Sequence, residues 1–128
     1  MLVAELTLVD TSAWIEFFRD RAPLATEVDS LLAAESAATC GVVELELVAG
    51  LRRGEDYVFE HLSAVTRLLT LEEDFLQAGF RLRALRARGV TVPATDALIY
   101  QVAARHDAKV LAKDKHFTQL GLEDSEIS

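Results

Sequence analysis

Leu6-Thr7-Leu8-Val9-Asp10-Thr11-Ser12-Ala13-Trp14-Ile15-Glu16-Phe17-Phe18 decides how this chain reads. A short apolar run suited to a buried strand stops at a carboxylate. A helix then starts on Thr11 or Ser12, with Trp14, Ile15 and Phe18 as its buried side. In an open parallel sheet, strand ends and helix N-termini converge at the edge where Asp10 stands, and ligands collect there. Phe17 is left over from the buried face, either for a partner surface or to pack under the following loop.

Further along, Pro23 interrupts the pattern, and Ala25 to Glu35 carries Val28, Leu31 and Leu32 at helical spacing. Ser36 to Cys40 reads as a second short strand, and Val42 to Leu51 as a helix, being too long and too rich in Leu and Glu for a strand. A helix over Glu55 to Val65 has Tyr57, Val58, Leu62 and Val65 as its apolar side. Leu68 to Leu71 makes a third strand. The acids of Glu72-Glu73-Asp74 suit the first turn of a helix that runs to about Arg88 and is capped by Gly89. After Pro93, a helix opens on Thr95 or Asp96 with Ile99, Val102 and Ala103 inward. Lys109 to Ala112 is the fourth strand, Asp114 to Leu120 a helical turn, and Leu122 to Ile127 an edge strand. Strands alternate with helices throughout, which means one α/β sandwich domain over residues 1–128 with a mainly parallel sheet of four to five strands.

With 128 residues the chain can bury a core without disulfide or metal staples. Cys40 is the one cysteine; it forms no intrachain disulfide and reads as a small core residue in a reducing compartment. The opening Met1-Leu2-Val3-Ala4-Glu5 has no basic n-region, and no apolar run reaches the ~18 residues of a membrane span. The expectation is a cytoplasmic protein with no membrane partner. A formal charge of −8 argues against a nucleic-acid binder held by a generally basic surface. Yet Phe75 to Leu122 holds eight Arg or Lys against three acids, so that segment is +5 and the remainder −13. An acidic chain can still engage RNA if its negative charge is concentrated where divalent cations invert the local field.

Asp10 follows the first strand, Asp96 opens a helix and Asp114 follows the fourth strand, three places that a parallel sheet brings to one edge. Each acid alone also suits a helix cap. Together they repel one another unless protonated or neutralised, and hard divalent ions with oxygen ligands relieve that repulsion. A fourth acid is Glu44 or Glu46; two positions apart on a helix, they differ by about 200° and only one faces the site. Small neighbours one turn away, Val42, Val43, Ala49 and Gly50, lean the choice toward Glu46.

Val9-Asp10-Thr11-Ser12-Ala13-Trp14-Ile15-Glu16, Glu46-Leu47-Val48-Ala49-Gly50, Thr95-Asp96-Ala97-Leu98-Ile99 and Lys113-Asp114-Lys115-His116-Phe117 together resemble the motifs of PIN-domain ribonucleases, and among these the VapC-type toxins of toxin–antitoxin pairs. The resemblance spans nearly the whole chain. It implies a PIN-like three-layer α/β/α sandwich and Asp10, Glu46, Asp96 and Asp114 as catalytic metal ligands for Mg²⁺ or Mn²⁺. It further implies hydrolysis of RNA phosphodiesters, a homodimer, and inhibition by a cognate antitoxin. Many relatives carry a further aspartate where this chain has His116, which leaves the fourth ligand on Asp114 alone.

Ser12, Lys113, Lys115 and His116 are the candidates for substrate contact. Ser12 or Thr11 can equally cap the helix or bond a carboxylate. The Arg81, Arg83, Arg86 and Arg88 series reads as a solvated helix face or as phosphate contacts. Two other readings are a PIN fold that serves as an interaction module without catalysis and a receiver-like phosphorylation switch. The second lacks an aspartate at the end of Leu68-Leu69-Thr70-Leu71. A dinucleotide-binding domain is excluded because Asp10-Thr11-Ser12 stands where its glycine-rich turn belongs.

Overall fold

Leu8 and Val9 are fully buried in the first strand, β1 (Thr7–Val9), and the first helix, α1 (Thr11–Phe18), starts after Asp10 alone. The computed structural model describes residues 5–114 and 116–127, with residues 122–127 described by backbone alone. In α1 the buried side chains are Ala13, Trp14 and Glu16, and Ile15 is exposed, against expectation. Trp14, Phe17 and Phe18 fall at i, i+3 and i+4 and therefore share one stripe. Phe18 stacks on Trp14 with centroids 5.7 Å apart, and Phe17 meets Trp14 edge-on at 5.9 Å and the His61 ring at 5.3 Å. Phe17 is thus packed, and Ile15, off that stripe, turns to solvent.

A second helix, α2 (Leu24–Ala33), leads to β2 (Ala37–Cys40), buried along its whole length. Next come α3 (Gly41–Ala49) and α4 (Tyr57–Ala64), the latter with Val58 and Leu62 inward and Tyr57 exposed. The third strand, β3 (Thr66–Leu68), lies two residues earlier than the apolar run suggests. Only Leu68 of that run is buried; Leu69 and Leu71 are exposed in the link to α5 (Glu72–Ala87). Gly89 follows this helix at φ +78°, the left-handed conformation expected of a C-terminal cap. The chain returns through α6 (Ala94–Arg105), whose Ile99, Val102 and Ala103 are buried as expected, to β4 (Lys109–Leu111). Residues 122–127, expected as an edge strand, continue the last helix, α7 (His116–Ile127). Phe117 and Leu120, three apart, are both buried, and α7 packs on α5 and α6; that helical period overrides the apolar ends of the segment.

The described sheet has four strands, all parallel, in the order β3-β2-β1-β4. Leu8 of β1 pairs with Ala38 of β2 on one side and Val110 of β4 on the other. Right-handed crossovers place the two connections that move from β1 to β3 on one face and the return from β3 to β4 on the other. Accordingly α1 packs on α2, and α5 on α6 and α7, giving the three-layer α/β/α build. The strand order reverses between β1 and β4, and the crevice at the C-terminal ends of those strands is where this topology places a ligand.

Candidate active site

Asp10 leaves β1 at this switch point, buried, with 4% of its surface exposed. Its Oδ2 accepts hydrogen bonds from the Ser12 backbone N–H at 3.1 Å and the Ser12 hydroxyl at 2.6 Å. Asp10 therefore caps α1 through Oδ2, and among the described contacts its Oδ1 is left over. Asp96, in the first turn of α6, caps nothing. Its Oδ2 accepts from Nδ1 of His116 at 2.7 Å, and α6 has no side-chain cap. Asp114 lies in the loop that leaves β4. One ligand atom each from Asp96, Asp114 and His116 fall within 4.8 Å of one another.

On α3, Glu44 and Glu46 face apart. Glu46 accepts at Oε1 from the Thr11 hydroxyl, 2.8 Å away, across the crevice from Asp10's own helix. Glu44 turns to the β3 edge and pairs with Arg67 at 2.8 Å. Geometry thus selects Glu46. Burial pushes the Glu46 carboxyl above the usual glutamate range; the Thr11 hydrogen bond opposes this, and the charges of Asp10 and Asp96 reinforce it. Asp96 is likewise raised, first by burial, with the His116 hydrogen bond opposing and the charges of Asp10 and Asp114 adding to it. Each of the four carboxylates acts on at least one other, so they form one electrostatic cluster.

This cluster fits a divalent cation. Its donors are hard carboxylate oxygens with one imidazole beside them, and a cation offsets both the burial that raises Glu46 and Asp96 and the repulsion that adds to it. Among the described residues the atoms close enough to share an ion belong to Asp96, Asp114 and His116, while Asp10 and Glu46 reach the cluster through their charges.

The four candidate substrate contacts sit differently. Ser12 is committed to Asp10, and its Oγ also accepts from the Lys113 backbone N–H at 2.9 Å. Lys113 donates its ammonium to Glu16 Oε1 at 2.6 Å. His116 is bonded to Asp96, and Lys115 lies outside the described residues. Of the arginine series, Arg81 donates to Gln101 Oε1 at 3.0 Å and its guanidinium lies 4.9 Å from the Tyr100 ring centroid; Arg83, Arg86 and Arg88 are exposed. Glu16 is the functional-site neighbour that sequence reading passed over. Its signal was there: a charged residue inside an aromatic run, four positions after Ser12 and so on the same helical face.

Residues 7–122 match the family model described as PIN domain. The chain is 35% identical to VapC ribonuclease Mb1587 of Mycobacterium bovis and to Ribonuclease VapC11 of Mycobacterium tuberculosis, over 88% of this chain and 89% of each relative. Its fold superimposes on the crystal structure of VapBC2 from Rickettsia felis bound to a promoter DNA fragment with a TM-score of 0.72 at 16% identity, covering 90% of this chain and 92% of that one. With a matching model across the sheet and its crossovers, and relatives aligned over most of their length, the chain belongs to the PIN-domain family.

Proposed function

We propose that this protein is an endoribonuclease that hydrolyses RNA phosphodiester bonds with Mg²⁺ or Mn²⁺ and acts as the toxin of a toxin–antitoxin pair. The observation that supports the reading is the close group of Asp96, Asp114 and His116, electrostatically coupled to Asp10 and Glu46, in a PIN fold whose relatives are VapC ribonucleases. A divalent cation held there supplies an acidified water and positive charge for the leaving 3′ oxygen. Asp10 and Asp96, from the end of a strand and the start of a helix, anchor opposite sides of the cluster. Glu46 presents its second oxygen to a water while Thr11 fixes the first. His116 orients the Asp96 carboxylate through Oδ2.

The antitoxin reading is supported by the solved toxin–antitoxin complexes that share the fold, among them a complex from Klebsiella pneumoniae. Exposed Phe75, Leu76 and Phe80 on α5 are apolar surface of the kind a homodimer covers. No helix among the described residues is long and apolar enough to cross a membrane.

The test is cleavage of a mixed tRNA and ribosomal RNA pool by purified protein with Mg²⁺ or Mn²⁺, beside a chelator control and Asp96→Asn. Discrete fragments that vanish in both controls are expected. Ion binding without any cleavage would leave the target unidentified, whereas absence of both would favour a non-catalytic interaction module.

A further inference from the structure

A second built feature adjoins the carboxylate cluster. Glu16, on α1, is a carboxylate with 8% of its side chain exposed, and two cations approach it: Lys113 at 2.6 Å and Arg21 at 3.6 Å. Both cations are more than half exposed and line, with Pro23 and Leu24, a cavity of about 490 Å³, within the size range of small-ligand sites. A larger cavity of about 630 Å³ lies at the N-terminal ends of β2 and β3, away from the carboxylates.

Two cations over one buried carboxylate leave a net positive charge in a chain of −8. Lys113 has three ammonium donors, of which Glu16 takes one, and the Arg21 guanidinium stands 3.6 Å from the Glu16 carboxylate, beyond hydrogen-bonding range, so among the described contacts the cavity retains N–H donors for an anion. Its position identifies the anion. Lys113 directly precedes Asp114, and its backbone N–H bonds Ser12, which bonds Asp10. Ala112 and Lys113 line the cavity and directly precede Asp114, so it borders the loop by which a polyanion bound at the cluster would continue.

We propose that the cavity between Arg21 and Lys113 seats the nucleotide next to the scissile phosphate, its phosphodiester on the two cations and its sugar and base against Pro23 and Leu24. The subsite rests on the endoribonuclease reading. Lys113 then does two things: its backbone ties the Asp114 loop to α1, and its ammonium, pinned by Glu16, faces the substrate strand.

The experiment uses the full chain with Mn²⁺ and a single-stranded RNA that it cleaves, synthesised with one neutral methylphosphonate linkage at successive positions around the cleavage site. At one flanking position, neutralisation lowers kcat/KM of wild type by about tenfold but that of Arg21→Gln by only about threefold, because one of the two cations on that phosphate is already gone. Arg21→Gln raises KM more than it lowers kcat and reduces the slope of log(kcat/KM) against log salt by about 0.7, and Arg21→Lys recovers most of both. Unchanged thermal unfolding of Arg21→Gln confirms that the fold is intact. Equal losses in wild type and variant at every position overturn the subsite while leaving the nuclease standing. A wild type that cleaves no RNA brings down the nuclease reading and the subsite with it. Wild-type kinetics in Arg21→Gln coupled to weakened capture of an acidic peptide would also overturn it, assigning the cavity to a protein partner.

Discussion

Glu44 and Glu46 are separated by one residue and by opposite surroundings, and that contrast can be measured. Glu46 joins the cluster through Thr11, whereas Glu44 makes a surface pair with Arg67. Glu46→Gln is expected to lower RNA cleavage by about 100-fold, and Thr11→Val, which frees the carboxylate from its orienting donor, by about tenfold. Glu44→Gln should stay within about twofold of wild type and cost about 1 kcal/mol of stability, since Glu44 is half-buried but its partner Arg67 is exposed. Initial rates with one RNA substrate and saturating Mn²⁺ decide it. At this scale the sequence was readable where orientation depends on local spacing: the 200° turn and the small residues flanking Glu46 pointed to the glutamate that bonds Thr11 and senses the charges of Asp10 and Asp96. For Glu16 the local pattern marked the helical face but not its partner, because Lys113 lies 97 positions away. For the same reason the sequence did not show that Lys113, a candidate substrate contact, also pairs with Glu16.

The α5–α6 hairpin shows what elements contribute to the site. Asp74 in the first turn of α5 is fully buried and accepts from the Leu71 backbone at 2.8 Å, from Gln101 at 3.3 Å and from Arg105 at 2.9 and 3.0 Å. Arg105 also donates to the Leu69 carbonyl, so the end of α6 is clamped to the start of α5 and the far end of α6, with Asp96, is held in place. Removing one partner from a buried pair leaves the other uncompensated, and Asp74→Ala should cost about 3 kcal/mol in urea unfolding. Burial pushes the Asp74 carboxyl up, but the hydrogen bonds from Arg105, Leu71 and Gln101 outweigh it and hold the group below its ordinary value. A depressed folded pKa stabilises above the unfolded value and is lost as pH falls through the folded one. The stability gap between wild type and Asp74→Asn should therefore be full near pH 7 and shrink below about pH 4. In the sequence, Asp74 was one of three acids suited to a helix start; only the return of α6 distinguishes it. The shifted β3 and the helical end of α7 were missed for a related reason: both depend on which neighbour covers an apolar residue, as α5 and α6 cover Phe117 and Leu120.

Across the whole molecule, the alternation of strands and helices was enough to give the parallel sheet and its layers, because each crossover must return to the same edge. The charge asymmetry acquires a place as well: the basic stretch from Phe75 to Leu122 spans most of α5, α6, β4 and the start of α7, so much of the positive charge lies in one helical layer. The acids collected at the switch point set the remaining balance. Glu46 and Asp96 carry raised pKa values, so the stability gained by protonating them is fully present below their unfolded values and lost as pH rises through their folded ones. Near neutral pH the cation-free fold bears their repulsion, and a cation that binds only the folded state removes it. At about 100 times its Kd, Mn²⁺ should raise Tm by roughly 5–10 °C near pH 7, and by less near pH 5, where protons compete for the same oxygens. A chelator should reverse the shift and Asp96→Asn should abolish most of it. A melting temperature indifferent to Mn²⁺ at both pH values would show that the four carboxylates hold no cation, and the mechanism built on them would fall.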